Sequence, residues 1–219
     1  MPLKKKLISY CHKVYDKGFV SAYDGNLSLR LDKKRILITP SALPKIEVQQ
    51  KDLIVINLNG EIIEGKGKSS TESKLHTFIY KKRNDVNAVI HCHPIYTSVL
   101  SILKKKINFA VFPEVVLTLG KIPICKYATP STDEVTKSLE PFVEHSSVFI
   151  LQNHGAVAIG SDLREAYYRM EKLEAFAKII VNALQIGDIR NLSKNNLKNL
   201  YLISEKTYNL TIHPKNKFI

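Results

Sequence analysis

The chain has no tryptophan, and only nine glycines and nine prolines among its 219 residues. That scarcity excludes collagen-like and proline- or glycine-rich low-complexity architectures. Cysteine is equally sparse. Cys11, Cys92 and Cys125 are odd in number and far apart, which is no disulfide framework and leads us to expect reduced thiols in a cytoplasmic protein. No window approaches the ~18 uninterrupted apolar residues of a membrane span. The basic lead Lys4-Lys5-Lys6 is followed by an apolar stretch that ends at His12 and Lys13, too short for a signal peptide. Arginine is rare too: six of the 33 basic residues, in a chain of net charge +13. Base reading and stacking favour arginine and clustered aromatics. With lysines scattered from Lys4 to Lys217, neither nucleic acid nor a membrane is an expected partner. A small anionic substrate, steered by a positive field, suits the charge better.

What is present is an ordinary globular composition, 44% hydrophobic and 24% charged, in a length that suits one domain. Such a chain buries roughly 70% of its extended surface without staples. Leu3 to Val20 shows helical spacing up to Gly18. Leu27 to Leu31 alternates as a strand, Ile36 to Thr39 is a short apolar run, and Leu53–Leu58, Asn59-Gly60 and Glu61–Ile63 read as a hairpin. A helix is expected over Glu72–Arg83, with Ser70 and Thr71 as N-cap hydroxyls. Strands follow at Val86–His93 and Val148–Gln152, with a short apolar segment at Ala156–Ile159. Pro94 opens a further helix. Helices over Leu163–Leu184 and Ser193–Lys206 close the chain. The expected fold is α/β: a single domain over 1–219 with a central mixed, largely antiparallel sheet covered by helices on both faces, 193–219 forming a C-terminal helix and tail.

The chemistry concentrates in a few residues. His91-Cys92-His93 ends an apolar strand. Alternation puts His91 and His93 on one face, roughly 7 Å apart at Cα, and turns Cys92 to the other. His154, before Gly155, follows a second apolar strand. Three neutral imidazoles suit Zn²⁺ or another divalent transition metal. His76 lies one turn after Glu72 and reads as structural rather than as a ligand. Glu72 sits in the first turn of its helix, where an acidic side chain meets the dipole and where free N–H groups also bind anions.

Together these pieces resemble a known family. Gly25-Asn26-Leu27-Ser28, Ile38-Thr39-Pro40-Ser41, Ser70-Thr71-Glu72 with His76, His91-Cys92-His93-Pro94 and Asn153-His154-Gly155 stand in the order and spacing of the class II aldolase/adducin-head family. The resemblance runs from about Leu7 to Leu184 and is nearest the branch that cleaves L-fuculose 1-phosphate. It implies zinc on His91, His93 and His154, with Mn²⁺, Co²⁺ or Fe²⁺ as alternatives. It implies Glu72 as catalytic base, and a substrate phosphate held by Gly25, Asn26, Ser41, Ala42, Ser70 and Thr71. It implies cleavage of a ketose 1-phosphate to dihydroxyacetone phosphate and an aldehyde, in a homotetramer with sites between subunits. The sequence departs from that pattern at Ala42, where glycine is usual, at Thr71, where serine is usual, and at Phe112, where the branch carries a proton-donating tyrosine. Glu114 and Tyr208 are the replacement donors to consider. A methylthioribulose-1-phosphate dehydratase would use Glu114 as its acid. A pentulose-5-phosphate 4-epimerase would usually carry Asp at position 72. Adducin-type heads lack the metal ligands that are all present here.

Overall fold

The computed structural model describes residues 3–104, 107–208, 210 and 212–219, Tyr208 by its backbone alone. Eight strands form one sheet: β1 (Asn26–Arg30), β2 (Arg35–Ile38), β3 (Ile54–Asn57), β4 (Ile62–Glu64), β5 (Ala88–Cys92), β6 (Ile124–Cys125), β7 (Val148–Leu151) and β8 (Gly155–Gly160). Their spatial order is β4-β3-β2-β1-β5-β8-β7-β6. Neighbours run antiparallel except β6 and β7, which are parallel. Seven α-helices lie among the described residues: α1 (Leu3–Asp16), α2 (Ser73–Lys82), α3 (Ile95–Ile102), α4 (Pro113–Thr118), α5 (Asp133–Leu139), α6 (Leu163–Ile186) and α7 (Lys194–Tyr208).

Side-chain alternation along the strands divides the core in two. Leu27, Leu29, Leu37, Val55, Ala88 and Ile90 face α1 and α6, with Cys11, Val14, Met170 and Phe176 packed on them. Ile36, Ile38, Ile54, Ile56, Val89 and Phe149 face α2 and α5 and meet Leu75, Ile79 and Leu139. Both faces of the central strands are therefore dry, which is why β7 and the Ala88–Ile90 part of β5 read as apolar runs. The expected single α/β domain with a mostly antiparallel sheet, covered on both faces, is what forms. The C-terminal segment adds a smaller cluster, where Leu197, Tyr201 and Ile212 pack on Ala110 and Val116.

Several boundaries differ from the sequence expectation. α1 stops at Asp16 because Gly18 takes φ +67°. Its neighbour Phe19 donates to the Val14 carbonyl at 2.9 Å, a left-handed helix stop that glycine adopts without a Cβ penalty. β5 and α2 are each shorter than expected. Glu72 stands at the N-cap of α2, and its own N–H donates to Ser70 Oγ at 3.2 Å. α4, α5 and β6 had no counterpart in the sequence reading. At two to seven residues, they are too short for periodicity to register.

One polar anchor ties β1 to the end of α2. The Arg30 guanidinium donates to the carbonyls of Val86, Tyr80 and Arg83, each at 2.9 Å. Orphan carbonyls at a helix end need such partners. We expect Arg30→Met to lower the unfolding free energy by about 2 kcal/mol, since it strands half-buried acceptors. Urea denaturation measures this, and an unchanged midpoint would contradict the role.

Candidate active site

β5 carries the centre of the site. It is buried along its whole length between β1 and β8. Cys92 joins the α1/α6 core, so His91 and His93 emerge on the opposite, α2 side, as alternation requires. The β7–β8 turn supplies His154. Asn153, just before it, takes φ +56°, a left-handed conformation that asparagine tolerates. Gly155 is needed for a different reason. A Cβ there would lie 2.5 Å from both the Cys92 carbonyl and His93 Cδ2, so any side chain would push His93 away.

The three imidazoles meet edge to face. Ring centroids are 4.9, 4.8 and 4.9 Å apart, with interplanar angles of 67°, 64° and 67°. One ring nitrogen from each lies within 4.8 Å of the others, and the His91 and His93 Nε2 atoms are 3.1 Å apart. This near-threefold convergence of donors can hold a metal ion. The outward nitrogen of His91 reaches the Ala156 carbonyl at 2.9 Å, and that of His93 faces Asp24 Oδ2 at 3.5 Å. Ligating histidines are commonly oriented through their second nitrogen in this way.

Glu72 closes the site. Its Oε2 is 3.1 Å from His91 Nε2, and its Oε1 is 3.2 Å from His154 Nε2. Asn26 donates to Oε2 at 2.8 Å. Oε1 is buried and makes no hydrogen bond of acceptable geometry. An orphaned carboxylate oxygen beside three convergent imidazoles is the donor set a divalent transition metal takes, so these residues fit the implied ion.

Electrostatics agree. Burial alone would raise the Glu72 carboxyl, but His91, His154 and the Asn26 amide outweigh it and hold it well below the usual carboxylate range. Burial, reinforced by the neighbouring imidazoles, pushes His93 down to about 4 and lowers His154. Neutral rings are the form that ligates. Burial also pulls His91 down, yet the Glu72 carboxylate beside it prevails and raises it. His76 is fully buried and pushed down to about 3, first by burial and then by His91.

Three loops border this cluster. Gly25 takes φ +73°, and a Cβ on it would meet the His91 carbonyl at 2.8 Å. The second loop is zipped to the third: Pro40 bridges Ser69, and the Ser41 N–H donates to the Lys68 carbonyl at 3.0 Å. Ala42 takes φ +55°. The backbone there has the shape that glycine favours, and alanine bears a cost of roughly 1–2 kcal/mol. Asn26 and Ser70 thus touch Glu72 directly, and the Ser41 loop is tied to the segment that leads into it. The side chain of Asn26 is 4% exposed and committed to Glu72 and His76.

Two residues escaped the sequence reading. Lys45 is 1% exposed, and its ammonium donates to the carbonyls of Leu43 and Tyr23 at 2.8 and 3.2 Å, pinning the first two loops together. A lysine in a turn carries no signal of such burial. Asp24, which faces His93, is the other. Of the two expected proton donors, only Glu114 has a described side chain. Glu114 is exposed in the first turn of α4. Among the described residues, no hydrogen bond or ion pair links it to the histidines. The Tyr208 side chain lies outside the described residues. Phe112 packs on Phe176 with centroids 6.0 Å apart. A cavity of about 780 Å³, lined by Arg83, His145, Arg169 and His213 among others, contains none of the three histidines.

The family model for the Class II Aldolase and Adducin N-terminal domain matches residues 5–181. The chain belongs to this family. It is 36% identical over 180 residues to an L-fuculose phosphate aldolase of Methanococcus maripaludis, covering 81% of this chain and 97% of that one. It is 33% identical over 203 residues to a 3-oxo-tetronate 4-phosphate decarboxylase of Haemophilus influenzae, covering 90% and 95%. A solved L-fuculose 1-phosphate aldolase superposes with a TM-score of 0.83 at 29% identity, over 94% of this chain and 95% of that one. Class II aldolases are metal-dependent lyases of sugar-phosphate metabolism. The three convergent histidines supply a place for such a metal in this member.

Two outcomes follow from this class II aldolase site. His93→Ala should leave a folded protein with sharply reduced divalent metal per chain; undiminished metal by elemental analysis would move the site elsewhere. The metal-free protein should lose stability on acidification. His76, held down to about 3, is neutral in the fold, while the unfolded chain takes up its proton near 6.5. Stability therefore falls as pH drops below that value, by up to about 1.4 kcal/mol per unit for this group. The lowered Glu72 carboxyl adds to the loss at more acidic pH. Chemical denaturation at stepped pH measures the profile, and a flat one between pH 6.5 and 4.5 would contradict it.

Proposed function

We propose that this chain is a zinc-dependent lyase that cleaves a ketose 1-phosphate, such as L-fuculose 1-phosphate, to dihydroxyacetone phosphate and an aldehyde. The observation that carries the reading is Glu72: an ionised, part-buried carboxylate with one oxygen held by Asn26 and the other without a well-formed hydrogen bond beside three convergent imidazoles. Bound on His91, His93 and His154, a divalent ion supplies polarisation of the ketone and stabilisation of the negative charge that develops on its oxygen. The chain's own residues do the rest. In the direction of synthesis, Glu72 removes a proton from the carbon beside the carbonyl, and in cleavage it returns that proton. Gly25, Asn26, Ser41, Ala42, Ser70 and Thr71 form the phosphate cradle. Its backbone N–H groups and hydroxyls, with the start of α2 behind them, favour a dianion. Asn26 enters mainly through its backbone, because its amide already serves Glu72. The aldehyde-side proton is handled by Tyr208 or Glu114 of a neighbouring copy, in a cytoplasmic homotetramer with sites between subunits.

A second reading has its own support. The Haemophilus influenzae relative is named a decarboxylase, and Phe112 offers no proton. Loss of CO₂ from a 3-oxo acid phosphate leaves the same kind of enediolate and has no alkoxide to serve, so the same metal and Glu72 suffice. Purified, zinc-loaded protein assayed in parallel for dihydroxyacetone phosphate release from ketose 1-phosphates and for CO₂ release from 3-oxo-tetronate 4-phosphate separates the two. Glu72→Gln should retain metal and lose about 10²–10⁴-fold in turnover; full activity would remove Glu72 from the mechanism. Unphosphorylated L-fuculose should react far less efficiently than its 1-phosphate, and equal kcat/KM on both would contradict the phosphate cradle.

A further inference from the structure

We infer that His76 is a positioning residue that fixes the direction of a buried hydrogen-bond chain ending on Glu72, so that the carboxylate always faces an N–H and never a carbonyl. This rests on the proposed role of Glu72. The chain runs from Tyr80 Oη to Ser28 Oγ at 2.8 Å, Ser28 Oγ to His76 Nδ1 at 2.6 Å, His76 Nε2 to Asn26 Oδ1 at 2.5 Å, and Asn26 Nδ2 to Glu72 Oε2 at 2.8 Å. Its members are almost wholly enclosed: Ser28 and His76 are 0% exposed, Tyr80 1% and Asn26 4%.

The direction follows from donor and acceptor chemistry, starting at Glu72. An ionised carboxylate only accepts, so Asn26 must present its NH₂ and turn its carbonyl to His76. That carbonyl only accepts, so His76 Nε2 must carry the proton. A neutral ring then has a lone pair on Nδ1, which takes the Ser28 hydroxyl proton. The Ser28 oxygen is left to accept from Tyr80. Each group has one consistent role, and no bond can be reversed alone without setting two acceptors or two donors face to face in a dry interior, at a cost of about 1–3 kcal/mol. Asn26, left to itself, could flip its amide and place a carbonyl against Glu72. His76 adds to the carboxylate's own demand for the NH₂ by holding the Asn26 carbonyl on its Nε2–H. The consequence for reactivity is an asymmetric carboxylate: Oε2 accepts from Asn26, while Oε1 makes no well-formed hydrogen bond and lies 3.2 Å from His154 Nε2.

The test is the tautomer of His76, read without turnover. In full-length protein labelled with ¹⁵N-histidine, long-range ¹H–¹⁵N spectra should show His76 protonated at Nε2 and bare at Nδ1. The signal is assigned by its absence from His76→Gln, or from His76→Leu if that variant does not fold. An Nδ1–H ring or an imidazolium at neutral pH overturns the inference. Kinetics give the second reading. His76→Leu, which removes the donor to Asn26, should lower kcat by about 10- to 100-fold with little change in KM, as expected for a misplaced catalytic group. His76→Gln keeps an N–H in reach of Asn26 and should retain most of the rate. Equal loss in both variants, or a change confined to KM, overturns the positioning role. Wild-type protein that turns over neither a ketose 1-phosphate nor a 3-oxo acid phosphate would refute the proposed function, while the tautomer still decides whether the chain has this direction.

Discussion

A carboxylate taken largely out of water must find donors or cations, or give up its charge, and the part-buried Glu72 is where this protein meets that demand. The compensation comes from three directions at once. β1 brings Asn26, β5 brings His91, and the β7–β8 turn brings His154. None of these elements satisfies the group alone. The register that pairs Asn26 with His91 across β1 and β5 and the antiparallel pairing of β5 with β8 are therefore conditions for an ionised Glu72, not merely for a stable sheet.

Close approach is the second condition. Gly25 and Gly155 both sit against the end of β5, where a Cβ would collide with the backbone of His91 or Cys92. Their missing side chains let two loops close over the strand end and aim the imidazoles inward. Behind them, the interior is apolar on both faces of the sheet, which keeps the surroundings rigid and low in dielectric. A fixed dipole or charge at such a place acts more strongly than it would in water. The buried Lys45, pinned on the Leu43 and Tyr23 carbonyls, extends the same rigidity to the two loops it joins.

The polar groups of the single chain are unevenly placed. Asn26, His91 and His154 converge on Glu72, whereas Phe112 is packed on Phe176 and Glu114 stands exposed on α4. Relatives that share the fold are named for different reactions of phosphorylated sugars and sugar acids, consistent with a shared charge-handling centre and a more variable opposite wall.

The residue order alone determined the sheet's main strands, the long helices and the identity of the polar cluster. Apolar periodicity and the same-face geometry of His91 and His93 are local properties that survive without a fold. That the backbone at Ala42 takes φ +55° was not legible; the sequence showed only an alanine where the resembled family usually has glycine. Short elements such as α5 and β6 were not legible, because two to seven residues give no periodic signal and are held by tertiary contact. Nor did sequence reveal that Lys45 is buried, that Asn26 serves Glu72, or that His76 sits in a directed chain from Tyr80. Those facts depend on segments about 50 residues apart meeting in a dry interior, where every donor must find an acceptor. Only the assembled sheet and the helix packed on it impose that requirement.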